Sequence, residues 1–151
     1  IDQRWEQFPL DVSINLKEKI LILSKSKNIV ISSNIGGNKV FEYLSNELLN
    51  KPNIEFIYDP NLHDTISLVY YSKSCVSSHS GLIVHTAAAF NKKIIDVVSK
   101  DIFNELDRWI PYNITYKRVD INNFIEVNFE ILIKRGIRFM NITVFNNEIR
   151  S

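Results

Sequence analysis

Residues 75–98, CVSSHSGLIVHTAAAFNKKIIDVV, constrain the fold of this chain more than any other stretch. A short apolar run at Cys75 and Val76 opens into a polar turn, Ser77-Ser78-His79-Ser80-Gly81. An alanine-rich amphipathic segment over 82–91 follows, and then a second apolar run at 94–98. Strand, turn, helix start and strand in that order make a βαβ unit. The turn also carries chemical meaning. A helix N-terminus gathers backbone N–H groups with no helical partner and a partial positive charge, so it suits an anion such as phosphate.

The rest of the chain repeats this alternation. Leu16, Ile20 and Leu23 recur at helical spacing, with Lys17, Glu18 and Lys19 opposite them. The segment 28–32 (NIVIS) reads as a short buried strand, and Asn34-Ile35-Gly36-Gly37-Asn38 punctuates it. A helix is expected from Lys39 to about Leu49, closed by Lys51-Pro52-Asn53, with a strand over 54–58. Asp64 is a plausible N-cap for a helix through Ile66, Val69 and Tyr70. Beyond the opening motif come a loop over 99–113 and a strand over 114–119. A long helix capped by Asn122 or Asn123 then carries Phe124, Val127, Ile131 and Leu132, and Gly136 ends it. A last β-prone run spans 138–145.

Strands separated by helices over short loops predict an α/β, Rossmann-like three-layer domain with a mostly parallel sheet. At 151 residues the chain fits a single domain, and no internal repeat or linker divides it. In such sheets ligands bind beyond the carboxyl ends of the strands. Loops 33–39, 58–64, 77–81 and 99–111 are therefore expected to converge on one crevice.

Charge and cysteine usage narrow the function. Lys and Arg total 18 against 17 acidic residues, a net charge of +1 that gives no electrostatic case for nucleic acid or an anionic membrane. One cysteine excludes an intrachain disulfide and a multi-cysteine zinc site, and fits a reducing compartment. No apolar run approaches the roughly 20 residues of a membrane span. The chain starts at Ile1 rather than methionine, which suggests a fragment or processed chain.

His79-Ser80-Gly81-Leu82-Ile83-Val84-His85-Thr86-Ala87-Ala88-Ala89-Phe90, then 93–98 (KIIDVV), then Arg108-Trp109-Ile110-Pro111-Tyr112, resembles the heptosyltransferase family. There an acidic residue, Ser or Thr, and Gly precede a helix bearing a His and an Ala-rich turn; a strand and an Arg-Trp-x-Pro-Tyr-like segment follow. The resemblance covers residues 28–112. It implies one half of a GT-B architecture, the C-terminal donor-binding domain of a glycosyltransferase. The implied ligand is a nucleotide-diphospho-sugar, with no further cofactor or metal. The implied setting is the cytoplasm, at the inner face of a bacterial membrane, in surface polysaccharide or lipopolysaccharide synthesis. The family's catalytic base lies in an N-terminal acceptor domain that has no counterpart here, so this domain alone is expected to be inactive. The chain departs from the family pattern in three places. His79 stands where the acidic residue usually is, Lys93 replaces a proline, and Ser99-Lys100-Asp101 replaces a Phe-Gly-Pro-like turn.

The residues suit the implied chemistry. Ser80 Oγ and the backbone N–H groups of Gly81 and Leu82 would take a diphosphate, and Gly81 would let it approach the backbone closely. His85, four residues on from Gly81, shares its side of the helix and could donate to phosphate or sugar. Arg108 could pair with diphosphate while Trp109 stacks on a base. Gly36 and Gly37 would form a second backbone wall.

Each has a plain structural alternative. Ser80 could be only an N-cap, Gly81 a turn residue, and Arg108–Trp109 a pair anchoring a loop. The Gly36-Gly37 turn could be simple helix entry. His79 is expected to be a solvent-exposed turn residue, Cys75 a small core residue, and Trp5 and Phe8 packing residues. Lys17, Lys19, Lys25 and Lys27 read as a solvated helix face. Zinc held by His63, His79 and His85 would require all three to converge without other obvious ligands. Two further readings are an epimerase-like or hydrolase-like fragment acting on nucleotide sugars, and a non-catalytic Rossmann-like interaction domain.

Overall fold

The computed structural model describes residues 1, 3–33, 38–112 and 114–134. A 3-10 turn, Gln3–Gln7, leads into α1 (Leu10–Ser24). The alternation then runs β1 (Ile29–Ser33), α2 (Lys39–Leu48), β2 (Ile54–Tyr58), α3 (Leu62–Tyr71), β3 (Ser74–Ser77), α4 (Gly81–Ala89) and β4 (Lys93–Val98). Short helical turns, including α5 (Phe103–Leu106), lead to β5 (Tyr116–Asp120). A second 3-10 stretch, Ile121–Glu126, precedes α6 (Phe129–Lys134).

The domain is α/β, with every described strand pairing parallel. β1 pairs with β2, and β4 lies between β3 and β5. β4 shows why this is a three-layer arrangement. Its side chains alternate faces, and five of its six residues are buried. Ile95 and Val97 join the larger core with Leu16 of α1, Leu44 of α2 and Phe124. Ile94 joins a second core with Val69 of α3 and with Val84 and Ala87 of α4. A strand covered on both faces reads as a continuous apolar run, which is how KIIDVV looked in the sequence. Asp96 is the exception in that run. It shares the face of Ile94, toward α4, and is fully buried.

Three local expectations are corrected. Asn61, not Asp64, caps α3: its Oδ1 accepts the Asp64 N–H at 2.9 Å. The helix expected from Asn122 or Asn123 is broken into the 3-10 stretch and α6. Asp120 caps the first piece, and Asn128 Oδ1 takes the Ile131 N–H at 3.1 Å in the second. The lysine face of α1 is not uniformly solvated, because Lys19 Nζ donates to the carbonyls of Ile125 and Val127 at 3.1 and 2.7 Å. The β-prone run at 138–145 and Gly136 lie outside the described residues.

Trp5 is buried and stacks edge-on against Phe8 and Phe124, as packing residues do. Cys75 is half-buried against the second core, and burial raises its thiol pKa.

Candidate functional site

The starts of α2, α3 and α4 all follow the carboxyl ends of strands, and they differ in one respect. At α2, Asn38 Oδ1 accepts the N–H groups of Val40 and Phe41 at 3.1 and 3.0 Å, and Glu6 Oε1 takes Lys39 N–H at 2.6 Å. At α3, Asn61 performs the capping. At α4, Ser80 occupies the N-cap position with extended backbone (φ −66°, ψ 113°), yet its hydroxyl makes no capping bond. The first bond of this helix runs from Val84 N–H to Ser80 O at 2.9 Å. The N–H groups of Gly81, Leu82 and Ile83 therefore have no partner within the helix.

Space is open there too. Gly81 and Leu82 are exposed, and a Cβ added at Gly81 would meet nothing within 4 Å among the described residues. His85 is exposed one turn further along. Ser80, Gly81, Leu82 and His85 are thus assembled on one exposed helix start, which carries no acidic residue in its first turn.

The turn before it is held from below. His79 has a left-handed backbone (φ 54°) and is 5% exposed, contrary to the expectation of a solvent-exposed turn residue. Asp96 is the reason. Its Oδ1 accepts Ser77 Oγ at 3.0 Å and the backbone N–H of His79. Its Oδ2 accepts His79 Nδ1 at 2.5 Å and the Tyr116 hydroxyl at 2.6 Å. The strand register places these groups together, with Ser77 opposite Asp96 on β3 and Arg118 opposite it on β5. A buried carboxylate is stable when its lone pairs are filled, and here four donors fill them.

The network continues outward along β5. Arg118 Nε donates to the Tyr116 oxygen at 3.3 Å, and its Nη1 donates to Phe103 O at 3.3 Å and Asp107 Oδ1 at 2.7 Å. Burial first, and the Asp96 charge second, push the Tyr116 phenol well above its ordinary pKa, so it remains a donor. On the other side, Arg4 Nη1 donates to the carbonyls of Ser78 and His79 at 3.0 and 2.6 Å. A guanidinium thus pins the turn and adds positive charge beside it. Ser78 is completely buried, and its hydroxyl has no hydrogen-bond partner among the described residues.

The remaining expected residues sort as follows. Arg108 and Trp109 stack on each other on a 3-10 turn (Asp107–Trp109), 5.5 Å from guanidinium carbon to ring centroid, with Trp109 54% exposed. The bonds that tie their segment to the site come from Arg118 instead. Loops 77–81 and 99–111 are linked by hydrogen bonds through Asp96, Tyr116 and Arg118. Gly36 and Gly37 lie outside the described residues.

Asp96, Tyr116, Arg118 and Arg4 went unrecognised in the sequence. The available signal was Asp96 itself, a charge inside a run of buried-strand residues, which demands partners.

Among the described residues no cluster of His, Cys, Asp and Glu has the geometry to hold a metal. No helix among them is long and apolar enough to cross a membrane. Comparison with family models, with curated proteins and with solved structures finds no match to this chain.

Proposed function

We propose that this domain is the donor-binding half of a GT-B glycosyltransferase resembling the heptosyltransferases, and that the turn 78–82 takes the diphosphate of a nucleotide-diphospho-sugar. One observation carries this reading: α2 and α3 start with side-chain caps, whereas α4 starts uncapped and open. Three N–H groups, a Ser80 hydroxyl that makes no capping bond and the adjacent Arg4 charge suit an anion with several acceptor oxygens. In group transfer the same donors would stabilise negative charge as the diphosphate leaves. His85 would contact phosphate or sugar, and Arg108 and Trp109 would close over the nucleotide. The acceptor and the catalytic base belong to a companion N-terminal domain, on the cytoplasmic side in bacterial surface polysaccharide synthesis.

Isothermal titration with ADP-, GDP- and UDP-sugars tests this. Binding is expected for at least one of them, and Gly81→Asp should abolish it by placing a carboxylate where the diphosphate sits. The fold should tolerate that change, because the space is open and an acidic residue in the first helical turn is favourable by about 0.3–1 kcal/mol. Unchanged binding in Gly81→Asp would refute the site. A blank with every donor would favour a non-catalytic interaction domain.

A further inference from the structure

The described strands form two sheets, and the two sheets share a core. Ile31 of β1 packs in the same cluster as Ile95 and Val97 of β4, with side chains of α1 and α2. Backbone direction identifies the edges that have no strand partner among the described residues. Ile29 N–H bonds Asn53 O and Asp59 N–H bonds Ser33 O, so the odd-numbered residues of β1 face β2. In a parallel ladder alternate residues face opposite neighbours, so Val30 and Ser32 turn their N–H and C=O groups to the other side. On β4, Ile94 N–H bonds Thr115 O, just before β5. Ile95 therefore bonds the residues that flank its partner Val76 on β3, and the backbone groups of Val76 itself point away from β4.

The N-terminal segment runs between these two edges. The Ile1 amino group donates to Ser32 O, on the open side of β1, and Arg4 reaches the carbonyls of Ser78 and His79 just past β3. Val30 is 46% exposed and Val76 38% exposed, on opposite faces. Val30 alternates with Ile31 of the larger core, and Val76 alternates with Cys75, which packs on the second core. A strand between β1 and β3 would cover both valines, because its own side chains alternate faces.

We propose that the edges of β1 and β3 are a docking site for one extended strand of a longer protein, which runs parallel to both and enters this chain at Ile1. Direction and register follow from the Ile1 bond. A carbonyl in a parallel ladder takes the N–H of the residue one past its partner. The first residue ahead of Ile1 thus lies opposite Ser32, and the third lies opposite Val30. A strand paired on both sides and covered on both faces is apolar throughout and rich in Val and Ile. It makes α1 the crossover into β1, on the same core face as α2, which crosses from β1 to β2. Both steps then cross the sheet in one direction with one hand, as parallel crossovers do. The docked strand joins the two sheets and fixes the segment from which Arg4 holds the turn before α4.

Amide hydrogen exchange tests this on the 151-residue chain and on the same chain carrying Lys-Thr-Val-Ile-Val ahead of Ile1. Without the extension, the N–H groups of Val30 and Val76 should exchange fast for strand residues. With it, both should slow about tenfold or more. An extension with proline at alternate positions cannot complete a ladder and should slow neither. Should the extended chain aggregate, the same peptide added free to the unextended chain is the probe, read at the same two amides. Amides that stay fast with the segment supplied would overturn the proposal. So would protection already present without it. Protection lost in Ile142→Pro would belong to the 138–145 run, and protection rising with protein concentration would belong to a second copy.

Discussion

His79 and Asp96 clasp each other twice. One carboxylate oxygen accepts the backbone N–H of His79, and the other accepts its ring Nδ1 at 2.5 Å. The double contact accounts for a non-glycine residue at positive φ, since the local strain is offset by charge-assisted bonds. It also fixes the entry angle of the turn into α4.

That clasp separates two substitutions. His79→Gly loses the ring but accepts φ 54° freely, whereas His79→Ala loses the ring and keeps the strain. Denaturant unfolding should find the alanine variant less stable than the glycine variant by about 1 kcal/mol. Equal stabilities would mean that the backbone relaxes out of the left-handed region.

Asp96 should matter most to folding. Asp96→Ala leaves Ser77, the His79 N–H, the His79 ring and Tyr116 without their acceptor, and about 3–5 kcal/mol should be lost, as when a buried polar network is broken. Asp96→Asn retains an oxygen for Ser77 and His79 N–H and should cost less. Chemical denaturation of both variants gives the ordering, and the reverse order would contradict the assigned bonds.

Tyr116 provides a pH signature of stability. Its phenol is raised above the ordinary value of 10.0, so the folded chain holds a proton that the unfolded chain releases first. Where the unfolded chain binds fewer protons, stability falls as pH rises. The contribution is thus fully present below about pH 10 and declines above it. Melting temperatures through that range should drop more steeply for the wild type than for Tyr116→Phe, and parallel curves would show that Tyr116 is not buried against Asp96.

Asn38 and Ser80 sit at equivalent helix starts but should respond differently. Asn38→Ala removes two capping bonds and should cost about 0.5–2 kcal/mol. Ser80→Ala removes none, so stability should change by less than about 0.5 kcal/mol while donor affinity falls several-fold. A destabilised Ser80→Ala with normal affinity would make Ser80 an ordinary cap.

The βαβ unit was legible in the sequence because its signals are local. Apolar runs of strand length flank a turn rich in Ser and Gly, and the structure places β3, α4 and β4 within two residues of their expected ends. The buried network was not legible, because its members lie far apart in the chain. Asp96 meets residues 17, 19 and 20 positions away, and which residues meet depends on strand register. His79 looked exposed because turns usually are, and only the carboxylate beneath it makes burial favourable. The expected helix beyond residue 122 failed for a local reason, since Val127 N–H bonds Phe124 O and Asn128 starts a new helix.

The most direct measurement follows the backbone amides by ¹⁵N NMR while UDP-, GDP- and ADP-sugars are added in turn. The account predicts that one donor moves the amide signals of Gly81, Leu82 and Ile83 most, with the capped starts of α2 and α3 nearly unchanged. Shifts centred on α2 or α3, or no shifts with any donor, would contradict it.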